Sequence, residues 1–123
     1  MKTEIFRIVP NIYSDNIEKS KEFYVDFLGM ELAMDLEWVL TFASKENHSA
    51  QVTILKNDKK ESPNNDAIFL SIEVANVDDL YEKAQVKNID IVYKIINEDW
   101  GVRRFFVKEP NGAIINILTH QPQ

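Results

Sequence analysis

Cysteine is absent from the 123-residue chain, and only two histidines, His48 and His120, remain as soft ligands. Thiol catalysis, disulfides, iron–sulfur clusters and zinc-finger chemistry are thereby excluded, and a reducing cytoplasm is the expected location. Glycine and proline are scarce, at three and four residues. Gly29, Gly101 and Gly112 stand apart in turn or cap positions, so no glycine-rich loop exists to cradle a phosphate. Positive charge is in deficit, with 14 Lys and Arg against 20 Asp and Glu for a net charge of −6. A nucleic-acid binder is not expected, because phosphate affinity comes from clustered Lys and Arg. A cationic ligand is electrostatically easier to accept. No run approaches the roughly 20 apolar residues of a membrane span, and Met1-Lys2-Thr3-Glu4 leads straight into a strand with no signal-peptide core, so no membrane association is expected. No Ser stands beside a His–Asp pair, which leaves serine catalysis without support.

What is present is enough for one core: 45% apolar residues, including 7 Phe, 4 Tyr and 2 Trp. Ile5 to Tyr13 reads as a strand, and Asn16 as the cap of a helix carrying Ile17, Ser20, Phe23, Tyr24, Phe27 and Leu28, closed by Gly29. Strands are expected over Glu31 to Asp35, Trp38 to Ala43 and Ala50 to Leu55. A polar stretch from Lys59 to Asp66, with Pro63 inside it, reads as a linker. The order then repeats. A strand over Ala67 to Val74 precedes an Asn76-capped helix with Val77, Leu80, Tyr81 and Ala84, closed by Asn88. Strands follow over Ile89 to Ile96, Val102 to Val107 and Ala113 to Leu118, the last two joined by Lys108-Glu109-Pro110-Asn111-Gly112.

Both halves are therefore βαβββ, and subtraction supports a duplication. An offset of 60 pairs Ile12 with Ile72, Asn16 with Asn76 and Ile17 with Val77, and an offset of 63 pairs Phe42 with Phe105, Ala50 with Ala113 and Ile54-Leu55 with Ile117-Leu118. The expected organisation is a single domain over residues 1–123, made of module one, 1–60, and module two, 66–123.

The opening segment, with Pro10-Asn11, the capped helix, Phe23-Tyr24 and Leu28-Gly29, resembles the first module of the glyoxalase/bleomycin-resistance/dioxygenase (vicinal oxygen chelate) superfamily. Ile72-Glu73-Val74, Trp100-Gly101 and Glu109-Pro110-Asn111-Gly112 resemble the corresponding elements of its second module. The resemblance implies an α+β fold of two tandem modules whose mixed sheets curl into an open barrel around a cavity, commonly in a homodimer.

In the superfamily's enzymes a divalent metal is held on the first and last strands of each module. Carried over, those positions fall on Val9, Thr53, Phe69 and Asn116. Two offer no donor atom and two offer weak neutral oxygens, so no metal and no cofactor is expected. His48 and His120 fall in surface positions. What the resemblance then implies is capture of a small molecule, aromatic or cationic, in the manner of the bleomycin-resistance proteins. The candidate ligand contacts are Trp38, Phe42, Phe69 and Trp100 as walls, with Tyr13, Thr53, Arg103 and Asn116 as polar contacts. Phe42, Phe69 and Phe105 also fit plain core positions. The alternatives are a metal-dependent lyase or dioxygenase with another ligand set, and a non-catalytic domain for protein contact.

Overall fold

The computed structural model describes residues 1–121, so the last two residues of the expected second module lie outside the described residues. The chain divides between Pro63 and Asn64 into two units.

In the first unit β1 (Asn11–Ser14) leads into α1 (Ile17–Lys21), then β2 (Glu31–Asp35), β3 (Val39–Ala43) and β4 (Gln51–Lys56). The sheet order is β1-β4-β3-β2, with β1 parallel to β4 and the rest antiparallel. The expected long first strand shrinks to four residues. Asn11 already pairs with Thr53, so a strand extended back to Ile5 would run past the start of β4 at Gln51. Ile5, Phe6 and Ile8 are consequently exposed.

Asn16 caps α1 as expected, its Oδ1 accepting the Lys19 N–H at 3.1 Å. The helix does not remain α. From Glu22 to Phe27 it widens to a π-helix, the Leu28 N–H reaching back five residues to the Phe23 carbonyl. The wider turn places Phe23, Tyr24 and Phe27 all in the core, where Tyr24 stacks on Phe42 at 5.2 Å. Gly29, at φ +74°, then reverses the chain.

The second unit repeats the plan with β5 (Phe69–Glu73), α2 (Val77–Val86), β6 (Asp90–Asn97), β7 (Val102–Lys108) and β8 (Ile114–His120), in sheet order β5-β8-β7-β6. Here β5 is parallel to β8. Asn76 takes the cap position of α2, although its side chain makes no capping bond, and Asn88 ends the helix at φ +56°. Val77, Leu80 and Ala84 are buried, as are Phe105, Val107, Ile115 and Ile117 of the sheet, and Tyr81 meets Phe105 edge-on at 5.0 Å. The β7–β8 turn is held by the buried Glu109 carboxylate, which accepts the backbone N–H groups of Asn111 (2.6 Å) and Ala113 (3.2 Å). Two βαβββ modules with mixed four-stranded sheets make this an α+β protein, as expected.

The strand register refines the internal repeat. Asn11 pairs with Thr53, and Ser71 with Asn116, so the 60 and 63 offsets hold for β1/β5 and β4/β8. Thr53 faces Thr41, whereas Asn116 faces Phe106, which puts β3/β7 at an offset of 65. The cause is loop length: residues 44–50 join β3 to β4, and the shorter 109–113 joins β7 to β8. Phe42 and Phe105 are therefore not counterparts. A two-residue slip preserves the side-chain face, so both still point into their helix-side cores.

Candidate functional site

Side chains alternate along a strand, so the sheet of the second unit has one face toward α2 and one away from it. Phe105, Val107, Ile115 and Ile117 occupy the helix face. The opposite face then carries a row of mutually paired residues across all four strands: Ser71 on β5, Asn116 on β8, Phe106 on β7 and Tyr93 on β6.

Around that row is an aromatic cluster. Tyr93 stacks on Phe106 at 4.6 Å and 25°, and Phe69 meets Phe106 edge-on at 5.1 Å. The Arg104 guanidinium lies 4.8 Å from the Phe106 ring centre, 5.0 Å from Trp100 and 5.5 Å from Tyr93. Its charge is met by Glu98, whose Oε2 accepts from Arg104 Nε at 2.6 Å and from the Tyr93 hydroxyl at 3.0 Å. Trp100 stands in the β6–β7 turn, where Gly101 at φ +90° lets the chain fold back, and it is 62% exposed. Phe69 is 55% exposed. Next to the rings, Asn116 is buried, with Nδ2 donating to Ser71 Oγ at 3.0 Å, while its Oδ1 has no hydrogen-bond partner.

The structure thus gathers Phe69, Trp100 and Asn116 of the expected contacts on one face. Arg103 faces the other way. Its guanidinium grips Asp78 at the start of α2, with Nη2 at 2.7 Å from Oδ1, and also donates to Asn97. The hydrogen bonds and charge of Arg103 hold the Asp78 carboxyl below the usual carboxylate range, and Arg103 is raised in turn. Phe42 is likewise no wall, since it lies fully buried against Tyr24 on the helix side. Tyr13, Trp38 and Thr53 belong to the first unit, Tyr13 and Trp38 exposed and Thr53 buried with its hydroxyl 3.0 Å from that of Thr41. The sequence reading missed Tyr93, Glu98, Arg104 and Phe106. The signal was there: once Phe105 is assigned to the core, period-two alternation sends Arg103 with it and turns Arg104 and Phe106 to the far face.

Elsewhere in the unit, a groove of about 520 Å³ opens between Ala75–Asp79 and Thr119–Gln121. It is polar, and the adjoining His120 and Glu73 side chains meet at 2.6 Å.

The four positions that hold metal in the superfamily's enzymes do not fit one here. Val9 and Phe69 have no donor, the Thr53 hydroxyl is engaged with Thr41, and the Asn116 carboxamide is a weak neutral ligand. Among the described residues no group of three or more His, Asp or Glu could hold a metal ion. His48 and His120 are both exposed, each beside one carboxylate, Glu31 and Glu73. Among the same residues no helix is long and apolar enough to cross a membrane.

No curated protein sequence matches the chain. Its structure is similar to a glyoxalase/bleomycin resistance protein/dioxygenase from Nocardioides (TM-score 0.75, 15% identity, covering 98% of this chain and 87% of that one). It is also similar to TioX from Micromonospora sp. ML1 (TM-score 0.78, 14% identity, 93% and 98% covered). A third likeness is to a glyoxalase/bleomycin resistance protein/dioxygenase from Alicyclobacillus acidocaldarius (TM-score 0.69, 19% identity, 98% and 95% covered). At such identities these matches establish the fold alone. Residues 7–120 match the family model of the glyoxalase-like domain, and with nearly the whole chain matched, this protein belongs to the glyoxalase-like domain family of the vicinal oxygen chelate superfamily.

Proposed function

We propose that the chain binds and sequesters a small planar aromatic molecule, without a metal, on the face of the second sheet turned away from α2. The observation that carries this reading is the Arg104 cluster. Three rings and a carboxylate hold the guanidinium in place, so the surface around it is preorganised and little ordering entropy is lost when a flat ligand stacks there. Exposed Phe69 and Trp100 supply apolar area that water solvates poorly. Of the two ligand types the family resemblance implied, aromatic and cationic, the aromatic one fits better. The cage that would take a cation is filled by the chain's own Arg104.

The related structures described as glyoxalase/bleomycin resistance protein/dioxygenase span both binding and catalysis. The metal-free reading follows from the donor set at the four superfamily positions, and a lyase or dioxygenase would need donors that those positions lack. We place the protein in the cytoplasm on its lack of cysteine. We also propose a homodimer, supported by the exposed apolar side chains of Leu32, Met34, Leu36 and Trp38 on and beside β2.

Titration of the purified Trp38→Phe variant with planar bicyclic aromatics, read by Trp100 fluorescence, tests the proposal. Saturable quenching that Phe69→Ala weakens supports it. Quenching that never saturates, or one tightly held divalent metal per chain, overturns it.

A further inference from the structure

The row Ser71, Asn116, Phe106, Tyr93 has a counterpart in the first unit: Asn11, Thr53, Thr41, Met34. At the matching positions of β4 and β8 the two units differ in one respect. Thr53 is buried and completes its bonding by pairing its hydroxyl with that of Thr41. Asn116 is as deeply buried, at 6% exposure, yet only its amide N–H is used, on Ser71. Opposite Asn116 on β7, where the first unit has a hydroxyl, stands the Phe106 ring, which has no hydrogen to offer. The carbonyl oxygen is left without a donor, although in the unfolded chain water would supply one.

Resting on the proposed aromatic-binding face, we infer that the ligand is a planar aromatic N–H donor, of the indole, lactam or aryl-amide kind, and that Asn116 Oδ1 accepts its hydrogen bond while Phe106 and its neighbours take the ring. Two independent observations meet here: a pre-assembled aromatic surface, and on the adjacent strand of the same face an acceptor closed to solvent, which the ligand reaches by parting the side chains that cover it. Charge gives no competing anchor, because Arg104 is already paired with Glu98. A ligand of this class gains the hydrogen bond in a site from which water is largely removed, so the bond discriminates more strongly than at the surface. An aromatic of the same shape without the donor leaves the carbonyl unpaired in the complex as well.

Indole and benzofuran, nearly identical in outline and differing in the N–H, are the probes. Binding to the full chain is followed by heteronuclear NMR, including the Asn116 side-chain amide resonances. The expected result is indole binding tighter than benzofuran by about threefold to tenfold, the worth of one net hydrogen bond, with the Asn116 amide shifted by indole. Asn116→Leu should abolish the preference, and Asn116→Asp, which keeps an acceptor, should retain it. Equal affinities on the wild-type chain, or tighter benzofuran, would overturn the donor inference and leave aromatic capture standing. Saturable binding of neither probe would overturn both. Because the wild-type comparison decides by itself, a poorly folded Asn116 variant does not rescue the inference.

Discussion

Replacing Arg104 with Ala removes the centre of the aromatic cluster, and the cost can be worked from the structure. The Arg104 and Glu98 side chains are 21% and 10% exposed, so the pair is mostly buried. Breaking a buried pair costs about 3–5 kcal/mol, chiefly because the surviving charge is stranded. Here the Tyr93 hydroxyl still solvates Glu98, which trims that figure, while the lost contacts with three rings add to it at about 0.5–1 kcal/mol where partly exposed. A net loss of about 2–4 kcal/mol results. For a chain of this length each kcal/mol moves Tm by about 4 °C, so calorimetry should find Arg104→Ala melting about 8–16 °C below the parent. The vacated cage should also accept a surrogate. With a Kd of about 10 mM, 50 mM methylguanidinium would return about 1 kcal/mol, or ~4 °C, to the variant alone. In the Arg104→Ala background, Glu98→Gln should cost almost nothing further. A loss under about 0.5 kcal/mol, or a response to methylguanidinium no larger than to sodium chloride, refutes the argument that this pair and its rings act as one unit.

Other expectations are simpler to test. Replacing Asn116 with Leu and Ser71 with Ala removes the unpaired carbonyl together with the amide N–H and the hydroxyl that accepts from it, so the double variant should unfold in urea at the same midpoint as the parent or at one higher by up to about 1 kcal/mol, and a lower midpoint contradicts the orphaned oxygen. Glu109→Ala deprives the β7–β8 turn of its buried acceptor and should cost about 2–4 kcal/mol in the same assay, with Glu109→Gln much milder; equal costs would mean that size and not hydrogen bonding holds the turn. Asp78 has a folded-state pKa below its unfolded one, so its link to Arg103 contributes fully above about pH 4 and fades as pH falls through the lowered value. An NMR titration should show the Asp78 midpoint rising in Arg103→Gln, and since the pair is exposed, salt should shrink the difference; an unchanged midpoint rules out the pairing in solution.

Helix and strand existence was legible because the apolar periods are clean. Ile17, Ser20, Tyr24 and Phe27 mark α1 and its π-helical continuation, and Val77, Leu80, Tyr81 and Ala84 mark α2. What escaped were quantities set by pairing partners. The length of β1 depends on where β4 begins, which no local pattern at Ile5 or Phe6 reveals. The widening of α1 into a π-helix depends on three adjacent aromatics finding one core, and the drift between β3 and β7 on two loops of unequal length. Of the proposed binding face, Phe69, Trp100 and Asn116 were named by residue type and relation to the superfamily pattern, while Arg103 was named and its neighbour Arg104, which lies on that face, was not. That choice is a parity error. A strand places neighbours on opposite faces, so naming Phe105 a core residue and Arg103 a ligand contact assigns one face two roles.

The paired rows carry an implication for how this scaffold changes. Since period-two alternation separates the helix-facing half of each strand from the other half, four positions per module can be rewritten while Leu40, Phe42 and Ile54, or Phe105, Ile115 and Ile117, go on specifying the fold. The duplicated modules already sample two settings of that code, one centred on a pair of threonine hydroxyls, the other ringed and amidic. Selection can thus retune chemistry in one copy without renegotiating the architecture of either.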